Sequence, residues 1–298
     1  MPKILNFGSL NIDNVFKVDH FVQPGETMAA ESLELLPGGK GLNQSVALSR
    51  AGAEIYHAGK VGRDGRWLVD LLEKANVHTE LIDQTGSITG VAMIQVNSSG
   101  QNCIIIHHGA NAEITNDYID SVLSHFHKGD MLLLQNEINA ISRIISKTFE
   151  LGMQIAWNPS PLDRTVFDCP FEKITYFILN EIEGFDLTGE KEPDKIAAAL
   201  LKRCPNAKVV LTLGKGGVWY QDRDRVCTHG IYKVPVVDTT GAGDTFTGFF
   251  LAKILENCPV EEALRIASVA SSIEVSRKGA SISIPTLEEV VNSDLKMQ

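Results

Sequence analysis

The sequence predicts an α/β protein in which a doubly wound αβα domain carries a small β-sheet lid. Three observations lead to this fold class. Short, almost continuous apolar runs recur along the chain, amphipathic segments of helical period separate them, and two stretches interrupt this rhythm with extended, hairpin-like sequence. Buried strands that alternate with helices are typical of a parallel sheet covered on both faces.

Six apolar runs predict the buried strands of the main sheet. Each has the length of a strand, and together they occupy residues 3–7, 54–61, 130–135, 153–157, 175–179 and 208–213. Ligands on a sheet of this kind bind beyond the carboxyl ends of the strands. The residues that follow these runs are therefore the first candidates for a binding site.

The segment AISRIISKTFELG predicts one of the covering helices. Ile141, Ile144, Ile145 and Phe149 recur at helical spacing and form one apolar face, and Gly152 is suited to end the helix. The segment lies between two predicted strands, where a parallel sheet requires a crossover connection.

Two stretches, about 10–40 and 88–110, predict the lid. The first holds extended pieces and a PGE turn without a helical pattern, and the second reads as two strands joined around NSSG. No linker or internal repeat divides the chain. We therefore expect a single domain over residues 1–298, with a discontinuous lid built from these two segments.

The composition is that of an ordinary globular protein, with 44% hydrophobic and 21% charged residues. A net charge of -10 argues against a nucleic-acid partner or an anionic membrane surface, since either would favour a basic face. The five cysteines are dispersed without CxxC spacing, and no signal peptide or transmembrane run is present. These features predict a cytoplasmic protein with reduced thiols.

The stretch DTTGAGDTF, residues 238–246, predicts a helix N-terminus that binds an anion. It matches neither the G-x-G-x-x-G fingerprint of dinucleotide-binding proteins nor a P-loop, which argues against an NAD-binding dehydrogenase. The backbone N–H groups that begin the helix at Ala242, Gly243 and Asp244 would form a cradle for negative charge. Asp244 would then act as a general base, or it would merely complement the helix dipole; the motif alone gives these interpretations about equal weight.

Two further motifs near the N-terminus predict contacts with a small polar ligand. In PGGKGLNQ, Gly39 allows close backbone approach, and Lys40 and Asn43 flank the start of a helix. In GSLNID, Asn11 and Asp13 share one side of an extended segment and suit adjacent sugar hydroxyls. The alternatives are a plain glycine turn into a core helix for the first motif and an Asx turn for the second.

Two strand ends predict a nucleotide side of the site. Asn180 and Glu183 in NEIE suit a magnesium ion held through water, although their spacing also fits a capping box. The stretch LTLGKGG, residues 211–217, suits a position under a nucleotide, although it also fits a β-hairpin turn.

Taken in order, these motifs resemble those of the ribokinase, or PfkB-type carbohydrate kinase, family. The resemblance runs from GSLNID through PGGKGLNQ, HHGAN, NPSP, NEIE, LTLGKGG and DTTGAGD to SRKGASISIP, and thus covers nearly the whole chain. The pairing of GGKGLNQ with DTTGAGD about two hundred residues later is its most specific part. The motifs agree with the ribokinases more closely than with the phosphosugar or adenosine kinases of the family.

The resemblance implies a Rossmann-like, ribokinase-like fold, and it implies roles for individual residues. It implies that the sugar is bound by Asn11, Asp13, Gly39, Lys40, Asn43 and Glu137. It implies that Asp244 is the catalytic base and that Gly241, Ala242 and Gly243 form the anion hole. It places ATP and Mg²⁺ beside Asn180, Glu183, Thr212, Gly214 and Gly217, and a K⁺ ion beside Asp238, Thr240, Gly279 and Ser283.

The activity implied by the resemblance is ATP-dependent phosphoryl transfer to the primary hydroxyl of a furanose, with D-ribose as the expected acceptor. Another sugar or nucleoside of the same family remains an alternative, for example fructose, deoxyribose, adenosine or pseudouridine. A non-catalytic sugar-binding protein would be expected to lack the base or the anion hole, and both motifs are present. The lid would cover the sugar and pair with the lid of a second subunit, which predicts a homodimer.

Phe249 departs from the family pattern, which usually has Gly or Ala at this position. The departure puts the local packing in doubt rather than the chemistry.

Overall fold

The computed structural model describes residues 2–298, and within them the strands form two sheets. The main sheet contains β1 (Ile4–Phe7), β4 (Ile55–Gly62), β5 (His78–Gly86), β8 (Met131–Leu134), β9 (Gln154–Trp157), β10 (Tyr176–Asn180), β11 (Lys208–Thr212), β12 (Val218–Gln221) and β13 (Val226–His229). The small sheet contains β2 (Asn11–Lys17), β3 (Ser32–Gly38), β6 (Gly90–Val96) and β7 (Asn102–His107).

The main sheet has the order β13-β12-β11-β10-β9-β8-β1-β4-β5. Every pairing from β5 to β11 is parallel, and β12 and β13 extend that edge as antiparallel strands. All six predicted strands are present. The sequence reasoning missed β5, β12 and β13, which lie at or next to the sheet edges. Polar residues interrupt the apolar pattern of β5 and β13, and β12 contributes only the short apolar run VWY.

Helices cover both faces of the main sheet, as the sequence predicts. The helices are α1 (Lys40–Arg50), α2 (Arg66–Lys74), α3 (Asn116–Leu123), α4 (Ile141–Glu150), α5 (Glu181–Thr188), α6 (Pro193–Arg203), α7 (Ala242–Leu255), α8 (Val260–Val275) and α9 (Leu287–Val291). Successive strand residues point to opposite faces, so Ile4 belongs to the core under α1, α2, α7 and α8. Its neighbour Leu5 belongs to the core under α3, α4 and α6. The doubly wound α/β fold class is thereby confirmed.

The small sheet has the order β3-β2-β6-β7 and contains strands from both segments of the predicted lid. β2 pairs with β3 antiparallel and with β6 parallel, while β6 and β7 form the hairpin around NSSG. Because directly paired residues share a face, Leu35, Asn14, Met93 and Ile105 lie in one row across the sheet. Three of these four side chains are large, apolar and exposed, and Ile105 is 66% exposed.

Helices α1 and α7 pack closely, and this contact brings two distant parts of the chain together. Gly248 makes the contact possible, since a Cβ at this position would lie 2.4 Å from Cβ of Ala47. Phe249 is completely buried in the core beside Phe250. The departure from the family pattern at Phe249 is therefore accommodated by core packing.

None of the helices in residues 2–298 combines the length and the apolar character needed to cross a membrane. The five cysteines are all free thiols, and Cys169 and Cys204 are buried.

Candidate active site

A cavity of about 210 Å³ opens at the carboxyl ends of the central strands. The side chains and backbone that line it come from helix starts and strand ends far apart in the sequence: Lys40, Asn158, Asn180, Glu183, Thr212, Thr239, Gly241, Gly243, Asp244 and Thr247. A second cavity of about 350 Å³ shares Asn180, Thr212 and Gly243 with it. The two cavities thus adjoin, and the α7 N-terminus lies between them.

Asp244 lies in the first turn of α7 and is held at both carboxylate oxygens. Asn43 donates from Nδ2 to Oδ2 at 3.0 Å, and Gln44 donates from Nε2 to Oδ1 at 2.8 Å. Asp244 is only 6% exposed, so these two amides replace most of the water that an ionised carboxylate would otherwise bind. Oδ1 of Asn43 is buried and has no hydrogen-bond partner among residues 2–298.

Gln44 connects the carboxylate of Asp244 to the main sheet. Its Oε1 accepts from Nε2 of Gln135 at 2.6 Å, and its Nε2 also donates to Oδ1 of Asn158 at 3.1 Å. Gln135 in turn donates to Oδ1 of Asn6 at 2.9 Å. These three partners lie in or directly after β1, β8 and β9, so the position of Asp244 is fixed by the carboxyl ends of three neighbouring strands.

The turn before α7 has the geometry of an anion site. Gly241 adopts a left-handed conformation, with φ of 90°, and precedes the first helical residues Ala242 and Gly243. The N–H groups of Gly243 and Asp244 form no hydrogen bonds within residues 2–298, and a Cβ at Gly243 would meet only open space. Unpaired N–H groups at the positive end of the helix dipole face the cavity and favour negative charge there.

Glu137 organises the polar groups next to Asp244. Its Oε2 accepts from Oγ of Ser9 at 2.5 Å and from the backbone N–H of Lys40 at 2.8 Å. Burial raises the pKa of Glu137 despite these donors and the nearby Lys40 ammonium. Burial works to lower the pKa of Lys40, but the carboxylates of Asp244, Glu137 and Glu183 outweigh it and raise the pKa. Lys40 is therefore the cation on which this acidic site depends.

Asp13 and Asn11 face the same region from β2. Burial, followed by the charge of Glu137, raises the pKa of Asp13 from 3.8 to about 7. The carboxylate lies against Gly38, where a Cβ would be 2.2 Å from it. Oδ1 of Asn11 accepts from Nδ2 of Asn111 at 2.7 Å, which orients the Asn11 amide. Gly39 has φ of 92° and packs against the backbone of Asn11, so the glycine turn brings these residues together.

The predicted nucleotide residues line the second cavity or the edge between the two. Asn180 and Glu183 form a capping box at the start of α5, with hydrogen bonds of 2.8 Å and 3.0 Å, so the structural alternative raised by the sequence is present. Both residues also line the 210 Å³ cavity. Gly214 and Gly217 belong to the turn between β11 and β12 and line the 350 Å³ cavity together with Thr212.

The four residues predicted to bind K⁺ form a small cluster behind the α7 N-terminus. Asp238 accepts from the backbone N–H groups of Thr240 and Gly279, each at 3.0 Å, and so joins two loops. Burial works to raise the pKa of Asp238, but these donors outweigh it and lower the pKa. The hydroxyl of Ser283 donates to the carbonyls of Gly279 and Ala280. Oxygen atoms and an ionised carboxylate are what a hard cation requires.

The sequence reasoning assigned no role to several polar residues that shape this site: Ser9, Gln44, Asn111, Gln135 and Asn158. Ser9, Gln44, Asn111 and Asn158 stood in motifs that supported the resemblance, and Gln135 is the last residue of a predicted strand. Each acts through a hydrogen bond between residues at least 91 apart in sequence, as the Gln135–Gln44 pair illustrates. A single sequence does not reveal such pairs.

Comparison with known proteins places this geometry in context. The model of the pfkB family of carbohydrate kinases matches residues 1–287. The ribokinase of Bacillus subtilis is 35% identical over 295 residues, which cover 97% of this chain and 98% of the relative. A ribokinase of Cryptococcus neoformans solved with ADP is 32% identical, with a TM-score of 0.85 and coverage of 98% and 99% of the two chains. A ribokinase of Arabidopsis thaliana solved with ribose and ATP is 29% identical, with a TM-score of 0.86 and coverage of 97% of both chains.

Replacing Asp13 with Asn is expected to stabilise the protein above neutral pH. Because the folded-state pKa is raised from 3.8 to about 7, the folded protein resists ionisation of Asp13, and stability falls as pH rises through this interval. We expect Asp13→Asn to raise the free energy of unfolding by about 1–3 kcal/mol at about pH 8 and to change it little near pH 4, as measured by urea unfolding.

The exposed Asp294 provides the control, since Asp294→Asn makes the same chemical change away from the site. It should leave the pH dependence of unfolding as in the wild type. An Asp13→Asn protein with the wild-type profile at both pH values would contradict this account of Asp13.

Proposed function

The chain belongs to the pfkB family of carbohydrate kinases, and from that premise we propose that it transfers the γ-phosphoryl group of ATP to O5 of D-ribose. One observation carries the proposal. The carboxylate of Asp244 is buried, held at both oxygens by Asn43 and Gln44, and placed at the cavity edge beside unpaired N–H groups of α7. A base and an anion cradle in one helical turn suit the attack of a hydroxyl on a phosphoryl group.

In the proposed reaction Asp244 accepts the proton of the ribose 5-hydroxyl. O5 then forms a bond to the γ-phosphorus while the bond between that phosphorus and the bridging oxygen breaks, and ADP leaves with the electron pair of the broken bond. The N–H groups that begin α7 stabilise negative charge on the transferred group. The amides of Asn43 and Gln44 keep the accepting oxygen in place without a change in charge.

The groups on the sugar side of Asp244 suit a polyhydroxylated ligand. Asp13 and Glu137 provide carboxylate oxygens, and Asn11 provides an amide oriented by Asn111. Carboxylates and amide oxygens accept hydrogen bonds from vicinal hydroxyls. Hydrogen bonds from the sugar hydroxyls would lower the raised pKa of Asp13 and so favour its ionised form when the sugar binds.

ATP is proposed to occupy the 350 Å³ cavity, with its phosphates directed towards the α7 N-terminus. Residues Thr212, Gly214 and Gly217 border the base and ribose end, and Asn180 and Glu183 border the phosphate end. Among residues 2–298 no three His, Cys, Asp or Glu side chains cluster as a metal cage. Mg²⁺ is therefore proposed to be held largely by phosphate oxygens and water near Glu183, where it would neutralise phosphate charge.

K⁺ is proposed to lie between Asp238 and Ser283, with Thr240 and Gly279 nearby. An ionised Asp238 and the hydroxyl and carbonyl oxygens of the loop fit a weakly hydrated monovalent cation. Bound there, the cation would add positive charge behind the anion cradle.

The free cysteines support a cytoplasmic location, which also stays a prediction.

The small sheet is proposed to close over the sugar on its Asp13 face and to bind a second subunit on its other face. On that other face Leu33, Leu35, Met93 and Ile105 are between 44% and 66% exposed. Apolar side chains in such a row favour burial against a partner surface, and the edge strands β3 and β7 are open to further contacts.

The proposed function predicts phosphorylation of D-ribose in preference to 2-deoxyribose, fructose, adenosine and pseudouridine. A site that binds each hydroxyl leaves a buried acceptor unpaired when one hydroxyl is missing, so we expect kcat/KM to fall by about 10-fold or more for 2-deoxyribose. ADP release with each acceptor, followed by identification of the product as ribose 5-phosphate, measures this.

Asp244→Asn is the matched variant for that experiment, because it keeps the shape of the side chain and removes its basicity. We expect kcat with ribose to fall by about 10²–10⁴-fold while the protein still binds ADP. A near-wild-type kcat in Asp244→Asn would refute the proposed chemistry. An equal rate on every acceptor would refute the proposed acceptor.

The proposed dimer predicts that charge on the outer face of the small sheet yields monomers. In Leu35→Lys/Ile105→Lys the added charges cannot be buried against a partner, and light scattering after size-exclusion chromatography should give half the wild-type mass. Val291→Lys, at an exposed apolar residue of α9, should stay dimeric. A wild-type protein that is monomeric at micromolar concentration would overturn the proposed dimer.

A further inference from the structure

Glu274 is a buried acid that the proposed reaction does not use. It lies one residue before the end of α8 and is 1% exposed. Neither carboxylate oxygen has a hydrogen-bond partner within residues 2–298, and no ion pair to Glu274 is formed there. The nearest cations in sequence are directed elsewhere, since Arg277 pairs with Glu289 and Lys278 pairs with Glu34. A buried ionised carboxylate in such surroundings is strongly disfavoured unless a cation accompanies it.

The Glu274 side chain points to the turn that begins α7. A Cβ at Gly241 would lie 2.7 Å from Oε1 of Glu274, so only glycine leaves room for the carboxylate beneath this turn. The hydroxyls of Thr245 and Ser283 lie beside the carboxylate, although neither makes a hydrogen bond of normal geometry with it. Oγ1 of Thr245 is itself buried and without a partner. The unpaired oxygens of Glu274 and Thr245 therefore face one point beside the Gly241 turn.

The same point adjoins the loop cluster of Asp238 and Ser283. Asp238 accepts from the backbone N–H groups of Thr240 and Gly279 and so joins the loops on either side of this point. Burial, followed by the negative charges of Asp244 and Asp238, raises the pKa of Glu274. Asp238 has donors for both oxygens, whereas Glu274 has none. Of the three acids near this turn, Glu274 is the one whose oxygens accept no hydrogen bond within residues 2–298.

We propose that the Glu274 carboxylate directly binds the monovalent cation, so that the site has two acidic side chains, Glu274 and Asp238. The inference rests on the cation site of the proposed function and adds to it a ligand that no motif pointed to. Thr245 and Ser283 contribute neutral oxygens to the same ion. A monovalent ion is favoured over Mg²⁺, because Mg²⁺ demands near-octahedral geometry and gives up its water reluctantly.

The proposal predicts that Glu274 makes K⁺ a stabilising ligand of the folded protein in the absence of ATP and sugar. A ligand that binds only the folded state raises the unfolding temperature as its concentration rises. We expect the wild-type melting temperature to increase on titration with KCl at constant ionic strength, with tetramethylammonium chloride as the balancing salt. In Glu274→Gln the apparent K⁺ affinity should be weaker by about 10-fold or more, since the ion loses the attraction of one adjacent opposite charge.

The experiment includes variants that separate the possible outcomes. Glu288→Gln makes the same substitution at an exposed position and should retain the wild-type response. Asp238→Asn tests the cation site itself and should also weaken K⁺ binding. Glu274→Asp keeps the charge on a shorter side chain, is the second variant if Glu274→Gln does not fold, and should give an intermediate affinity.

Without K⁺, Glu274→Gln should be at least as stable as the wild type, because an uncompensated buried acid is removed. A K⁺ response lost in Asp238→Asn but unchanged in Glu274→Gln would overturn the role of Glu274 and leave the cation site of the proposed function intact. No K⁺ response in the wild type would overturn both. A larger shift with MgCl₂ or CaCl₂ than with KCl would overturn the assignment to a monovalent ion.

Discussion

The active site depends on one interaction, the binding of the Asp244 carboxylate by the side-chain amides of Asn43 and Gln44. These residues are about two hundred positions apart in sequence, and they meet because Gly248 lets α7 approach Ala47 of α1. Gln44 extends the same network to the carboxyl ends of β1, β8 and β9. The Asp244 carboxylate, the proposed base, is therefore held by side chains at the carboxyl ends of buried strands.

This arrangement concentrates negative charge in a small volume. Asp13, Glu137 and Asp244 approach one another on the sugar side, while Asp238 and Glu274 lie behind the α7 N-terminus. Burial raises the pKa of Asp13 to about 7 and that of Glu274 to about 9 when no ligand is present. Burial of such groups reduces stability, and under the proposed function their ligands would relieve this cost on binding. Sugar hydroxyls would do so at Asp13, and a cation would do so at Glu274.

The sequence predicted the central part of this protein well, because local pattern determines it. The apolar runs marked β1, β4 and β8 to β11, and glycines marked the turns that lead into α1 and α7. Edge strands such as β5 were missed, since a half-exposed strand lacks a continuous apolar run. Gln44 and Glu274 were missed for a different reason. In the sequence each is a single polar residue in a helix. Gln44 stands out only through its hydrogen bond to Asp244 in the folded chain, and Glu274 only through its lack of any hydrogen-bond partner within residues 2–298.

The most direct test of the central claim measures whether Gln44 acts through Asp244. Gln44→Leu removes the three side-chain hydrogen bonds of Gln44, to Asp244, Asn158 and Gln135, with little change in volume. kcat and KM for ribose are measured in the wild-type and Asp244→Asn backgrounds. If Gln44 positions the base, kcat falls by about 10-fold or more in the wild-type background, KM changes little, and no further loss occurs in Asp244→Asn. Equal losses of kcat in the two backgrounds would contradict the account, because Gln44 would then contribute independently of Asp244.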